Sequence, residues 1–188
     1  RFPDSPHAVC VSLPTMADVI GYEEKDPAVV QEMKSGYPRF FLPGFVRQLT
    51  EHIASDISPE PRDVLLVNSS RAAAELLDFI DLPSAKAEDE DGFACVHFPQ
   101  APDTYKKAFH FLQHTGCGIS SRQAEDLLFH AGLLSSMFPE ETIPADHAES
   151  TILQNLSQIV GIPEDDILLC NSGMNAFYAT YLAACEIQ

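Results

Sequence analysis

Three short apolar runs constrain this chain more than any other feature: Asp63-Val-Leu-Leu-Val-Asn68, Phe93-Ala-Cys-Val-His-Phe98 and Ile167-Leu-Leu-Cys170. Each is too short for a buried helix, and none alternates polar with apolar, so each reads as a strand covered on both faces. Between them lie segments with a helical rhythm. Phe45, Leu49, His52, Ile53 and Ile57 predict a helix over 45–56, ended by Pro59 and Pro61. Ser69-Ser70 is placed to cap a helix over 71–80. Asp103 opens another, with Tyr105, Phe109 and Leu112 on one face, broken at Thr115-Gly-Cys-Gly118. Ser120-Ser121 caps a helix over 122–134, a further helix covers 147–160, and the last covers 174–186. Strands alternating with helices argue for an α/β fold with a mostly parallel sheet and helices on both faces.

Residues 1–44 have a different texture. Pro3, Pro6, Pro14, Pro27, Pro38, Pro43 and Phe40-Phe41 leave no long periodic face. This stretch reads as an arm lying over another surface, with a short helix at 27–35 where Asp26-Pro27 supplies an N-cap and an N1 proline. The expected organisation is an arm at 1–44, an α/β segment at 45–146 and a further segment at 147–188. The acidic run Glu88-Asp-Glu-Asp91 reads as a solvated turn. No internal repeat is visible.

Eleven Lys plus Arg against 28 Asp plus Glu give a net charge of −17. The basic residues are scattered, so neither nucleic acid nor an anionic membrane surface is expected as a partner. No apolar run approaches the roughly 18 residues of a membrane helix. The five cysteines (10, 95, 117, 170 and 185) are odd in number and widely spaced. They read as reduced thiols of an intracellular, cytoplasmic protein. The first residue is Arg rather than Met, which leads us to expect a trimmed or incomplete chain.

Three local constellations bear on chemistry. In Cys170-Asn-Ser-Gly-Met174 an apolar run enters Ser-Gly at the start of a helix. The first amides of a helix lack intrahelical acceptors, the dipole end is positive, and a glycine permits close approach, so the turn suits a phosphate. An ordinary turn with a cap and a glycine would look the same. His110, His114 and Cys117 have a spacing that zinc can use, and a small zinc protein is a third possible reading. The set lacks a fourth ligand and any H-E-x-x-H glutamate. Imidazoles at a helix end are the simpler reading, and no metal is expected. Arg122 follows Ser120-Ser121 beside a Gly-rich break, where a guanidinium can pair with phosphate or carboxylate or simply face water. G-x-S-x-G, P-loop and G-x-G-x-x-G motifs do not occur, against serine hydrolase, P-loop and dinucleotide-binding readings.

Several separated motifs carry a resemblance. His7-Ala-Val-Cys-Val-Ser-Leu-Pro-Thr15, Gly21-Tyr-Glu-Glu24, Gly36-Tyr-Pro-Arg-Phe-Phe41 and Gln113-His-Thr-Gly-Cys-Gly-Ile-Ser-Ser-Arg-Gln-Ala-Glu125 resemble the opening of the long, fungal-type cystathionine γ-synthases. Residues 64–80 are similar to a strand-plus-helix segment of the same extension. Ser172-Gly173-Met174 resembles the phosphate-cradling Ser/Thr-Gly-Met of the wider Cys/Met-metabolism family that uses pyridoxal 5′-phosphate.

The resemblance implies part of an aspartate-aminotransferase-like fold, with 45–146 as an α/β N-terminal extension and 147–188 as the start of the coenzyme-binding domain, and γ-replacement of an activated homoserine ester by cysteine, in transsulfuration and methionine metabolism. The coenzyme supplies the electron sink. Gly173 and Met174 would give amides to its phosphate, and Ser172 its hydroxyl. In most of the family a Tyr-x-Arg segment reaches the phosphate of the neighbouring subunit. This reading finds no Tyr-x-Arg in the chain, so Ser120-Ser121-Arg122 stands as its counterpart and Arg122 is carried over. The Schiff-base lysine, the Asp partner of the pyridinium and the stacking aromatic lie downstream of Ser-Gly-Met in the family. All five lysines here (25, 34, 86, 106 and 107) precede it. The chain is therefore read as the N-terminal section of such an enzyme, inactive alone, acting on amino acids and forming a homo-oligomer. The competing reading is a non-catalytic α/β interaction or regulatory module.

Overall fold

The structure is a computed structural model that describes residues 5–9, 12–30, 41–140 and 145–187. They divide into two compact units, Arg1–Phe138 and Pro139–Gln188.

The first unit opens with α1 (Met16–Glu23), started by a capping box in which the Thr15 hydroxyl accepts from the Asp18 amide and the Asp18 carboxylate accepts from the Thr15 amide. The sequence reading treats this stretch as irregular arm. The Thr-x-x-Asp pair is the overlooked start signal. α2 (Pro27–Val30) follows, packed so closely that a Cβ on Gly21 would stand 2.6 Å from a Val29 methyl. The rest of the expected 27–35 helix lies outside the described residues.

Then come α3 (Gly44–Ile57), β1 (Arg62–Val67), α4 (Ser70–Ile80), β2 (Lys86–Glu90), β3 (Phe93–Pro99), α5 (Pro102–Thr115) and α6 (Ser121–His130). Ser69 and Ser120 cap α4 and α6 by accepting the amides of Ala72 and Gln123. Gly116, at φ +64°, ends α5 in the left-handed region. α6 stops four residues short of the expected end, ahead of Gly132 at φ +73°.

The three strands lie in the order β1-β3-β2, and both pairings are antiparallel. This corrects the mostly parallel sheet. Its cause is a two-residue turn, Asp91-Gly92, which pairs Glu90 with Phe93 and folds β2 directly back onto β3. Gly92 sits at φ +82°, as a tight hairpin requires. The acidic run read as a turn is thus mostly the edge strand β2, every residue of it exposed. β1 and β2 share a direction, but β3 is inserted between them. An apolar run reports burial on both faces and leaves strand direction open.

That burial is as expected. Leu65, Val67, Ala94, Val96 and Phe98 pack with α4 and α5 on one face of the sheet. Val64, Leu66, Phe93 and Cys95 pack with α3 and α6 on the other. The register Leu65↔Val96 and Leu66↔Cys95 keeps each face in phase.

The second unit contains a 3-10 turn (Ala145–His147), α7 (Ala148–Val160), a second 3-10 turn (Glu164–Asp166) and α8 (Gly173–Ile187). Gly161, at φ +70°, closes α7. Residues 167–170 form no strand, which corrects the third strand of the sequence reading. An apolar run becomes a strand only when a neighbour takes its backbone hydrogen bonds. Among the described residues no strand pairs with it, and Leu168 is 80% exposed.

Candidate functional site

Ser172 is the last residue before α8. Its carbonyl accepts the Ala176 amide at 2.9 Å, and its hydroxyl accepts the Asn175 amide at 3.1 Å. The hydroxyl is thus a helix cap. Gly173 is exposed and Met174 half-buried. Neither φ nor crowding calls for glycine at 173, because a Cβ there would meet nothing within 4 Å. The turn therefore presents the first two amides of a fifteen-residue helix, those of Gly173 and Met174, beside a position with no side chain.

A phosphate fits this geometry, and so does the phosphate end of pyridoxal 5′-phosphate. No lysine occurs in the second unit, and Lys107 is committed elsewhere, donating to the Ile80 carbonyl at 2.9 Å.

Arg122 lies in the first turn of α6, exposed, two positions after the Ser120 cap. It belongs to the first compact unit and Ser172-Gly173-Met174 to the second. A literal Tyr-x-Arg does occur in the chain, at Tyr37-Pro38-Arg39, far ahead of the last helix and outside the described residues.

The best-organised polar group in the first unit has no local sequence signal. His7 is buried, its side chain 1% exposed, between Phe45 and Phe138, with ring centroids 5.4 and 6.0 Å away. Its Nδ1 lies 2.9 Å from the Ser121 hydroxyl and its Nε2 3.1 Å from Glu125. The other Glu125 oxygen accepts the Phe138 amide at 2.7 Å. A neutral imidazole protonated on Nε2 satisfies every member, donating to Glu125 and accepting from Ser121. With both ring nitrogens engaged inside the core, the cluster fastens the chain's beginning to α6. It also joins two stretches that carry the resemblance, His7–Thr15 and Gln113–Glu125.

A second buried histidine, His97 on β3, accepts from the Arg62 Nε–H at 2.8 Å and lies 3.2 Å from Glu88 on the edge strand. It locks the three strands together across their pleat.

The candidate zinc set does not assemble. His110 and His114 are exposed, whereas Cys117 is buried in the core with the Thr115 hydroxyl donating to its sulfur at 3.0 Å. No cluster of metal-ligating side chains exists among the described residues. Burial, partly offset by that hydrogen bond, pushes the Cys117 thiol up to about 11. Burial, aided by the charges of Glu88 and Glu90, pushes Cys95 up to about 12. Neither is a nucleophile near neutrality.

The fold is that of a mixed α/β protein with a small antiparallel sheet. No protein-family model matches the chain, and no solved structure matches it significantly. Curated proteins do. L-2-amino-4-chloropent-4-enoate dechlorinase/desaturase of Streptantibioticus cattleyicolor is 32% identical over 187 residues, covering 99% of this chain and 37% of that protein. Cystathionine γ-synthase of Neurospora crassa is 34% identical over 163 residues, 70% of this chain and 26% of that protein. The Saccharomyces cerevisiae cystathionine γ-synthase is 26% identical over 162 residues, 75% of this chain and 25% of that protein. The chain is homologous to cystathionine γ-synthase and related enzymes, as its motifs imply, and spans 25–37% of the length of these relatives. No helix among the described residues is long and apolar enough to cross a membrane.

Proposed function

We propose that this chain is the N-terminal section of a pyridoxal 5′-phosphate enzyme of the cystathionine γ-synthase kind, with the coenzyme's phosphate held at Ser172-Gly173-Met174. The observation that carries the reading is Gly173. Nothing in its own surroundings requires a glycine, and close approach of an anion to a helix start does. The Met174 and Gly173 amides would hold phosphate oxygens, with the Ser172 hydroxyl donating a further hydrogen bond. The coenzyme, when bound, supplies the electron sink for chemistry on an amino acid.

The relatives' names narrow the substrate class. A 2-amino-4-chloropentenoate carries its leaving group on the γ-carbon. So does an activated homoserine ester, the γ-replacement substrate implied by the resemblance. The shared chemistry is departure of a group from Cγ of an L-2-amino acid, with cysteine as the incoming nucleophile where replacement follows. The lysine that binds the coenzyme covalently would lie outside this polypeptide, and the chain alone would be inactive. We read the working enzyme as a cytoplasmic homo-oligomer. Arg122 remains a candidate for the intersubunit phosphate contact, behind Tyr37 and Arg39.

Treating the isolated chain with coenzyme and borohydride, then mapping its lysines, tests the division of labour. Scattered, sub-stoichiometric labelling is expected. One stoichiometrically modified lysine would overturn it.

A further inference from the structure

Ser121, His7 and Glu125 stand in the order nucleophile, base and orienting acid. Ser121 opens α6 directly after its Ser120 cap and is half-buried, whereas the His7 and Glu125 side chains are only 1% and 4% exposed. The Ser121 hydroxyl lies 2.9 Å from His7 Nδ1, and a Glu125 carboxylate oxygen lies 3.1 Å from His7 Nε2. With the proton of the neutral ring on Nε2, Nδ1 offers its lone pair to the hydroxyl. A hydroxyl within reach of a base, and a base held by a third group, is the geometry that activates a serine, whatever the order along the chain.

The carboxylate is the informative member. A link between the arm and α6 needs only a neutral acceptor at position 125 for the imidazole and for the Phe138 amide. A buried carboxylate adds a desolvation cost. Its charge offsets that cost when the ring becomes an imidazolium, the state through which a general base passes. Phe45 and Phe138, with ring centroids 5.4 and 6.0 Å from that of the imidazole, place apolar surface around the base. An oxyanion formed on a carbonyl bonded to Ser121 would sit at the positive end of α6.

We propose that Ser121 is a nucleophile toward small carboxylic esters, with His7 as general base and Glu125 as the residue that positions its ring. Ser121 Oγ attacks the ester carbonyl and its proton passes to His7 Nδ1. The ester C–O bond breaks and the leaving alkoxide takes that proton. Water then gives a proton to His7 Nδ1 and adds to the acyl carbon, and Ser121 leaves and recovers its proton. Of the three groups only Ser121 is more than marginally exposed, which restricts the acyl part to a short, unbranched one. The site lies wholly in the first unit and does not rest on the coenzyme reading.

A fluorophosphonate, which bonds to an activated serine with loss of fluoride, tests this on the 188-residue chain, with the adduct located by peptide mass spectrometry. One stoichiometric adduct at Ser121 is expected, formed at least about tenfold faster than on the urea-unfolded chain. The rate should rise with pH across a single titration, a dependence lost in His7→Gln. It should fall at least about tenfold in Glu125→Gln under conditions where circular dichroism shows that variant folded. p-Nitrophenyl acetate should acetylate the same residue and release nitrophenolate in a burst. A folded wild-type chain that leaves Ser121 unlabelled would overturn the proposal and reduce the cluster to a structural fastening. Labelling spread over several serines, or equally fast in folded Glu125→Gln, would overturn it too. The wild-type result decides alone if a variant fails to fold.

Discussion

Glu125 is 4% exposed in its side chain and serves two partners, the His7 imidazole and the Phe138 amide. Glu125→Ala removes the acceptor from both inside the core. A buried donor left unmatched costs about 1–3 kcal/mol, so urea unfolding should show a loss in that range. A double-mutant cycle with His7→Ala should show strong coupling, because each change alone strands the other group. None of this is legible in the sequence. His7 lies 118 positions from Glu125, and no local spacing announces a contact made by the fold. The helix caps are the opposite case. Ser69, Ser120 and Ser172 each act three residues away, and each is where the sequence puts it.

The two buried thiols give a pH dependence with a definite sign. Cys95 and Cys117 titrate well above the ordinary 9.0 when folded, because burial disfavours the thiolate. In the unfolded chain they ionise near that ordinary value, so unfolding releases protons once the pH passes 9. Their contribution to stability is complete below pH 9 and is lost as the pH climbs toward 11–12. The melting temperature should fall between pH 9 and 10.5, and less steeply in Cys95→Ala/Cys117→Ala measured against its own value at pH 7.5. At pH 8 a thiol reagent should modify exposed Cys185 quickly and leave Cys95 and Cys117 intact until the protein unfolds.

At the scale of elements, the buried strands and most helices follow from apolar periodicity, and the sheet's direction does not. β2 has no apolar face to betray it, since Lys86, Glu88, Asp89 and Glu90 all stand in water. Charge on an edge strand also discourages pairing with other chains. The available clue is Asp91-Gly92, a short-range hairpin signal that outweighs the acidic composition around it. Gly92 is held at φ +82°, where an L residue is strained. Gly92→Ala should cost about 1 kcal/mol or somewhat more, read as a lower urea midpoint with an unchanged slope. The third apolar run is misread for a complementary reason. Residues 167–170 have a strand's composition without a strand's neighbour, and backbone pairing is a property of two segments.

At the scale of the whole molecule, the units differ in kind. The first covers both faces of its sheet and encloses two apolar clusters, whereas no described side chain of the second is buried. Limited proteolysis of the isolated chain should therefore cut first within residues 139–188 and leave a resistant fragment ending near Phe138, seen by intact mass. The proposed function divides the chain in the same place: a folded leading section, then the phosphate end of a coenzyme site. Coenzyme retention by the chimera of this chain with the dechlorinase/desaturase remainder, compared with and without Gly173→Val, tests that claim most directly. Visible coenzyme absorbance surviving desalting in the chimera, and reduced at least about tenfold by Gly173→Val, is the expected result. Retention indifferent to the valine would contradict it.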